Sequence, residues 1–228
     1  MVCVGAAACQ SFLPAASTPT VEPTATTPIT PEVTPSVSAY TPTWKEVEVN
    51  DIRLGIEIPS GWEAQETDDG LLIAEQFGTM EYGTAIEGLQ VHLFVHAFDG
   101  YQLPVSSDTN VAWAVLEQII TQKEVIGDAV VSKPTGFDWD GRDAAYYLLN
   151  DGDGNLSVLL AVAIPTPKRL VVCNFSSPAA QASQIRLMLP QILSTLTING
   201  VALDSDALHN LPDPLQFPKP RPNSTPMP

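Results

Sequence analysis

Apolar and polar positions alternate through much of the stretch 44–201, and this pattern predicts strands. The clearest case is 89–98, where apolar residues stand at every second position, as they do along a half-buried strand. A second alternation covers 52–58, and Pro59-Ser60-Gly61 follows it as a turn. Further strands are predicted at 71–74, 129–132, 137–139, 143–149, 156–164, 169–175 and 197–199.

Two segments have apolar residues at helical spacing instead. The first is 108–122, with Ser106, Ser107 and Asp108 as candidate N-caps, and its stripe is Ala112, Val115, Leu116, Ile119 and Ile120. The second is predicted to begin at Ser176 or Ser177 with Pro178 in the first helical position, and its stripe is Ile185, Leu189, Ile192 and Leu196. Pro190 is expected to kink or split this helix. The order of elements predicts an α+β fold around an antiparallel β-sheet.

Proline-rich sequence flanks this predicted domain on both sides. Residues 9–43 are rich in Thr and Pro, and residues 202–228 are rich in Pro. Each proline fixes φ and lacks a backbone donor, so such stretches favour extended, hydrated conformations. We therefore predict a disordered N-terminal linker at 9–43, a folded domain at 44–201 and a disordered tail at 202–228.

The first nine residues contain a possible lipid-attachment site. Ala6-Ala7-Ala8-Cys9 resembles the lipobox of bacterial lipoproteins, in which small residues precede a cysteine whose thiol takes a diacylglycerol. Residues 1–8 have no Lys or Arg and are short for an export signal, so we interpret them as a truncated signal peptide. The resemblance implies a lipid anchor at Cys9 that holds the protein on the extracytoplasmic face of the cell membrane.

Composition narrows the range of functions. The chain has 26 acidic and 10 basic residues, a net charge of -16, and such a surface repels the phosphate backbone of nucleic acids. Of the three cysteines, Cys173 lies in an apolar run and is predicted to be buried. No disulfide framework is indicated.

Two sequence segments resemble those of PsbP/Mog1-like domains. The first is the strand and turn Ile56-Glu57-Ile58-Pro59-Ser60-Gly61-Trp62, and the second is Ile192-Leu193-Ser194-Thr195-Leu196-Thr197-Ile198 after the closing helix. The resemblance covers about residues 46–200. It implies a three-layer α/β/α arrangement with helices on both faces of the sheet. Members of this group range from photosystem accessory subunits to transport factors and bacterial lipoproteins, mostly without catalysis.

The sequence evidence for a metal site is weak. His92 and His96 are four residues apart on a predicted strand, about 13 Å at ~3.3 Å per residue, which is too far to hold one ion. Asp151, Asp153 and Asn155 imitate the start of a calcium loop, but the glycine and glutamate that such a loop needs later are absent. A hairpin turn is the favoured interpretation, and no metal or cofactor is predicted.

Asp138 and Asp140 flank Trp139, and an acidic rim beside an aromatic ring is a candidate interaction surface for a cation or a sugar. The favoured interpretation is a strand end in which Phe137 and Trp139 pack on one face and Asp140-Gly141 makes the turn.

These observations predict a membrane-anchored extracytoplasmic lipoprotein whose domain is a non-catalytic protein-interaction or accessory module. Its expected partners are the membrane, through the lipid, and another envelope protein. The alternative is a lipoprotein that binds a small ligand in a pocket between sheet and helix. A hydrolase would require Asp138 and Asp140 to meet His92 or His96 in one cleft, because no nucleophile motif or phosphate-binding loop is present.

Overall fold

The computed structural model describes residues 42–75, 86–103 and 109–221. The predicted signal segment, Cys9 and nearly all of the predicted linker lie outside these residues. No helix of the described part is both long enough and apolar enough to cross a membrane.

A large antiparallel sheet forms the centre of the domain. Its order in the described residues is β3-β4-β5-β10-β9-β8-β6, and β7 also pairs with β8. The strands are β3 (Glu63–Thr67), β4 (Gly70–Ala74), β5 (Gln90–Ala97), β6 (Val130–Val131), β7 (Thr135–Trp139), β8 (Arg142–Asn150), β9 (Asn155–Ile164) and β10 (Arg169–Pro178). The predicted strands are confirmed at these positions, while the polar strand β3 was missed.

A second, smaller antiparallel sheet was not foreseen. It has the order β1-β2-β11-β12, with strands β1 (Thr43–Val49), β2 (Ile52–Ile58), β11 (Thr197–Ile198) and β12 (Val201–Ala202). The pattern at β2 was interpreted correctly, but β1 is mostly exposed and therefore lacks the apolar alternation of a half-buried strand.

Side chains of the large sheet alternate between two cores. On β8, β9 and β10, one set of positions packs with the small sheet and α3 (Ala182–Leu193). The other set packs under α1 (Val111–Ile119), which is followed by the short helix α2 (Lys123–Ile126). The fold is therefore the predicted α+β arrangement, with an antiparallel sheet between helical layers.

Both long helices begin later than predicted. The N-cap of α1 is Asn110, whose side chain accepts a hydrogen bond from the Trp113 amide at 2.8 Å; the predicted caps lie in 104–108, outside the described residues. The predicted start of α3 at Pro178 is wrong, because β10 keeps pairing with β9 through Pro178 and a 3₁₀ turn follows. Pro190 does not split α3, since its burial in the core compensates for the one backbone bond that proline cannot make.

The predicted disorder of residues 202–228 is wrong for 202–221. A closing segment, 203–217, contains the short helix α4 (Asp206–His209) and inserts four leucines into the core: Leu203, Leu208, Leu211 and Leu215. Arg186 on α3 holds its path by donating hydrogen bonds to the carbonyls of His209, Leu211 and Pro212. The segment is folded back because its four buried leucines supply apolar area to the core, even though Pro212 and Pro214 lie within it.

Candidate functional site

Trp139 does not belong to an exposed interaction surface. Its side chain is 0% exposed, its ring stacks with Phe137, and its indole nitrogen donates a hydrogen bond to the Asp204 carbonyl at 2.6 Å. The candidate interaction surface is therefore wrong for Trp139, and the favoured interpretation of an inward-packed strand end is confirmed; the closing segment covers this position.

Asp138 and Asp140 form a turn, as the favoured interpretation expected. Both are exposed. The Asp138 carboxylate accepts a hydrogen bond from the Gly141 amide at 3.0 Å, and Asp140 and Gly141 have φ angles of 56° and 73°. Two successive positive φ values are the requirement of a type I′ hairpin turn, so these carboxylates shape the β7–β8 connection.

The two histidines have separate partners. His92 Nε2 lies 3.2 Å from an Asp69 carboxylate oxygen and 3.3 Å from the Thr67 hydroxyl. His96 Nε2 lies 2.9 Å from the Tyr101 hydroxyl, and burial lowers the pKa of His96. Both lie on β5, whereas Asp138 and Asp140 are across the sheet at the end of β7. The cluster that a hydrolase would require is therefore not assembled.

The loop after β8 is held by hydrogen bonds of its own. One Asp151 carboxylate oxygen accepts from the amides of Asp153 and Asn155, at 2.8 and 3.0 Å. The other accepts from the Asn155 side chain at 2.6 Å. These bonds stabilise the hairpin that the sequence favoured over a calcium loop.

Cys173 is fully buried, as predicted. It lies on β10 within the core shared with α3 and the small sheet. Burial raises the pKa of its thiol, which keeps it in the unreactive protonated form.

The first candidate site is an exposed face of the small sheet, named here the Trp44 face. Register places Trp44, Glu46 and Glu48 of β1 on the same side as Arg53, Gly55 and Glu57 of β2. Trp44 is 46% exposed, and its indole lies on Gly55, where a Cβ atom would come within 2.5 Å of the indole Cζ2. Gly55 therefore provides the room for an aromatic ring on an otherwise polar sheet face.

The second candidate site is a cleft of about 320 Å³ on the large sheet, named here the polar cleft. It is lined by Thr67, Leu72, Ile86, Gln90, His92, Asp151, Asn155, Ser157, Asn174 and Ser176. Register places His92 beside Asn174, and Gln90 beside Ser176, on the face that carries α1 further along. The space beneath α1 is filled by buried side chains such as Leu116 and Tyr147, so the cleft lies beside the helix rather than under it.

Polar groups of the cleft are unusually buried. Gln90 is 4% exposed, Ser157 7% and Asn155 9%. The hydroxyls of Ser157 and Ser176 are 2.7 Å apart, and the Asn155 side-chain oxygen Oδ1 accepts a hydrogen bond from the Ile86 backbone amide at 2.9 Å. The floor of the cleft is thus hydrogen-bonded and ordered.

The sequence contained clues to both candidate sites that the sequence analysis did not use. Gly55 interrupts an apolar strand, and a glycine inside a strand often marks the close approach of another group. Gln90, Asn174 and Ser176 are polar positions in two of the most apolar strands. Which face each position occupies, and what covers it, required the strand register.

Three solved structures show a similar arrangement. Cyanobacterial PsbP from Synechocystis sp. PCC 6803 is 10% identical, covering 71% of this chain and 95% of that one, with a TM-score of 0.43. The Saccharomyces cerevisiae Ran-binding protein Mog1p is 14% identical, covering 70% and 97%, with a TM-score of 0.40. A substituted form of protein Mog1 is 14% identical, covering 73% and 99%, with a TM-score of 0.39. No protein-family model and no curated protein matches the chain.

Proposed function

We propose that the domain is a non-catalytic interaction module that docks on a basic surface of a partner protein through the Trp44 face. The observation that carries this proposal is the large aromatic side chain of Trp44, held 46% exposed on Gly55. Tryptophan is strongly enriched among residues that dominate binding energy at interfaces, and exposing it without a partner forfeits the burial of apolar area.

The charge of the Trp44 face favours a basic partner. Three carboxylates, those of Glu46, Glu48 and Glu57, share the face with Trp44, against the single cation Arg53. A guanidinium stacked on the indole would gain about 0.5–2 kcal/mol as a cation–π contact. The surrounding carboxylates would accelerate its approach and align it. An arginine-bearing protein surface therefore fits this face.

The proposed setting is the extracytoplasmic face of a membrane, with a lipid at Cys9 as the anchor. The predicted linker 9–43 ends at the residue before Trp44 in the sequence. In extended polyproline conformation, at about 3 Å per residue, the linker would span roughly 100 Å. That reach would let the domain find a partner within the cell envelope.

A peptide titration tests the Trp44 face. The four tryptophans give four indole signals in a nitrogen–proton NMR spectrum, and Trp44→Phe identifies the one from Trp44. An arginine-rich peptide is expected to shift that signal in a salt-sensitive way, and a matched glutamate-rich peptide is not. Equal shifts at all four indoles, or none at Trp44, would contradict the proposal.

Cross-linking in the source cells tests the partner directly. A photoreactive residue at position 46 is expected to form an adduct with one protein, and Trp44→Ala in the same chain should reduce the adduct at least tenfold. Val125→Ala is the matched control, because Val125 is an exposed apolar residue on α2. An adduct insensitive to Trp44→Ala would sink this assignment.

The anchor needs a separate measurement. Intact-mass analysis of membrane-derived protein is expected to show a chain that begins at Cys9 and carries diacylglycerol. Cys9→Ser should release the protein from the membrane, while Cys3→Ser should not. A free Cys9 thiol in membrane-derived material would overturn the anchor and leave the Trp44 proposal intact.

A further inference from the structure

We propose that the polar cleft binds a neutral polyhydroxyl molecule of about monosaccharide size. This is a site distinct from the Trp44 face and independent of the docking function. It lies on the large sheet between β4, β5, β9 and β10, whereas the Trp44 face belongs to the small sheet.

The first argument is an amide without a partner. Gln90 is 4% exposed and lines the cleft, yet its side chain has no hydrogen-bond partner among the described residues. Asn174, two strand positions away across the β5–β10 pair, is half-buried and also has no side-chain hydrogen-bond partner among the described residues. Neither amide is among the fully buried side-chain atoms without a partner, and both residues line the cleft, so their polar atoms are open to a bound molecule rather than enclosed in the core. Two such amides in one cleft favour a ligand that supplies hydrogen bonds to them.

The second argument is the charge of the lining. Within the described residues, neither Lys nor Arg lines the cleft. The Asp151 carboxylate is occupied by the amides of Asp153 and Asn155 and by the Asn155 side chain. His92 is engaged by Asp69 and Thr67. An anion would find no counter-charge here, so the lining favours a neutral ligand.

The third argument is the mixture of donors and acceptors. Amide and hydroxyl groups each both donate and accept, and Gln90, Asn174, Ser157 and Ser176 present four such groups close together. A row of ligand hydroxyls, each also donor and acceptor, matches this set. Leu72 adds an apolar surface for the carbon skeleton, and about 320 Å³ lies near the lower end of small-molecule sites.

The test is NMR titration of the full-length chain with glucose, galactose and sorbitol, beside inorganic phosphate and diglycine. Backbone and side-chain signals of Gln90, His92 and Asn174 are expected to shift and saturate with at least one neutral polyol. Phosphate and diglycine are expected to leave them unchanged.

Variants assign the binding to the cleft. Gln90→Leu and Asn174→Leu are each expected to weaken the polyol at least tenfold. Ser157→Ala is a smaller change that should disturb the fold less, and it should weaken polyol binding by a smaller factor. Gln191→Leu is the control, because Gln191 is exposed on α3 outside the cleft, and it should bind as the wild type does.

Each other result overturns the inference. Saturation by phosphate or diglycine alone would reject the ligand class. Cleft signals that shift with none of the probes would reject the site. Binding that survives both leucine variants, with their spectra showing a folded domain, would place the polyol elsewhere.

Discussion

The two faces of the large sheet differ in how completely they are covered. On β10, Val171, Cys173 and Phe175 point to one side and all lie in the apolar core under α3 and the small sheet. On the other side, Leu170 and Val172 lie under α1, but Asn174 lines the polar cleft. A sheet face is apolar where another layer covers it. On the α1 side, the uncovered end of the face is polar, and this is where a ligand can reach the sheet.

The largest expected difference in stability is between substitutions at two neighbouring residues of β10. Phe175→Ala should lower the free energy of unfolding by about 3–5 kcal/mol, since a large fully buried ring leaves a cavity. Asn174→Ala, one residue away on the cleft side, should change it by only about 0.5 kcal/mol. Urea denaturation measures both. An equal loss for Asn174→Ala would make the cleft a structural feature rather than a binding site.

The next effect concerns the closing segment. Leu208→Ala should lower the free energy of unfolding by about 2–4 kcal/mol, because Leu208 is fully buried in the core shared with α3. Leu187→Ala is the matched control, since this leucine is 64% exposed on α3 and should cost about 0.5 kcal/mol or less. Thermal unfolding of the two variants checks this. Similar midpoints would show that the segment does not complete the core.

A smaller effect is expected where α1 begins beside the sheet. Asn110 caps the helix and also donates to the carbonyls of Phe137 and Ala144, at 3.1 and 2.9 Å. Asn110→Ala should therefore cost about 1–2 kcal/mol. Asn210→Ala is the control, because that exposed side chain has no such cap. Denaturant titration of both variants measures this. A similar small change for Asn110→Ala and Asn210→Ala would show that the Asn110 hydrogen bonds between α1 and the sheet contribute little to stability.

The smallest effect is a pH dependence at the covered end of β5. Burial lowers the pKa of His96 below its ordinary value of 6.5, so the unfolded chain binds the proton more readily than the folded chain. Stability should therefore fall as the pH drops below about 6.5 and be independent of this group above it. His96→Gln should make the melting temperature depend less on pH between pH 5 and 7. An unchanged pH dependence would contradict this assignment.

Strand positions were largely predictable because their alternation is local, as at Gln90–Ala97 and Arg169–Pro178. Strands β1 and β3 were missed because they are exposed edge strands. A strand whose side chains face solvent does not need the alternating apolar pattern by which strands were recognised. The start of α3 was misplaced because Pro178 suits both the end of a strand and the start of a helix. The candidate interaction surface at Trp139 was wrong and the favoured inward packing is confirmed, but the segment that covers Trp139 could not be named, because what covers a residue is not a local property.

The sequence by itself determined the α+β class, the order of most strands, the burial of Cys173 and the hairpins at Asp140-Gly141 and Asp151–Asn155, since these depend on periodicity and turn chemistry within a few residues. Only the tertiary structure decided that the small sheet leaves Trp44 exposed, that a proline-rich segment buries Trp139, and that Gln90 and Asn174 converge in one cleft. Each of these depends on pairing between residues far apart in the chain, and register and coverage are consequences of packing that no local pattern contains.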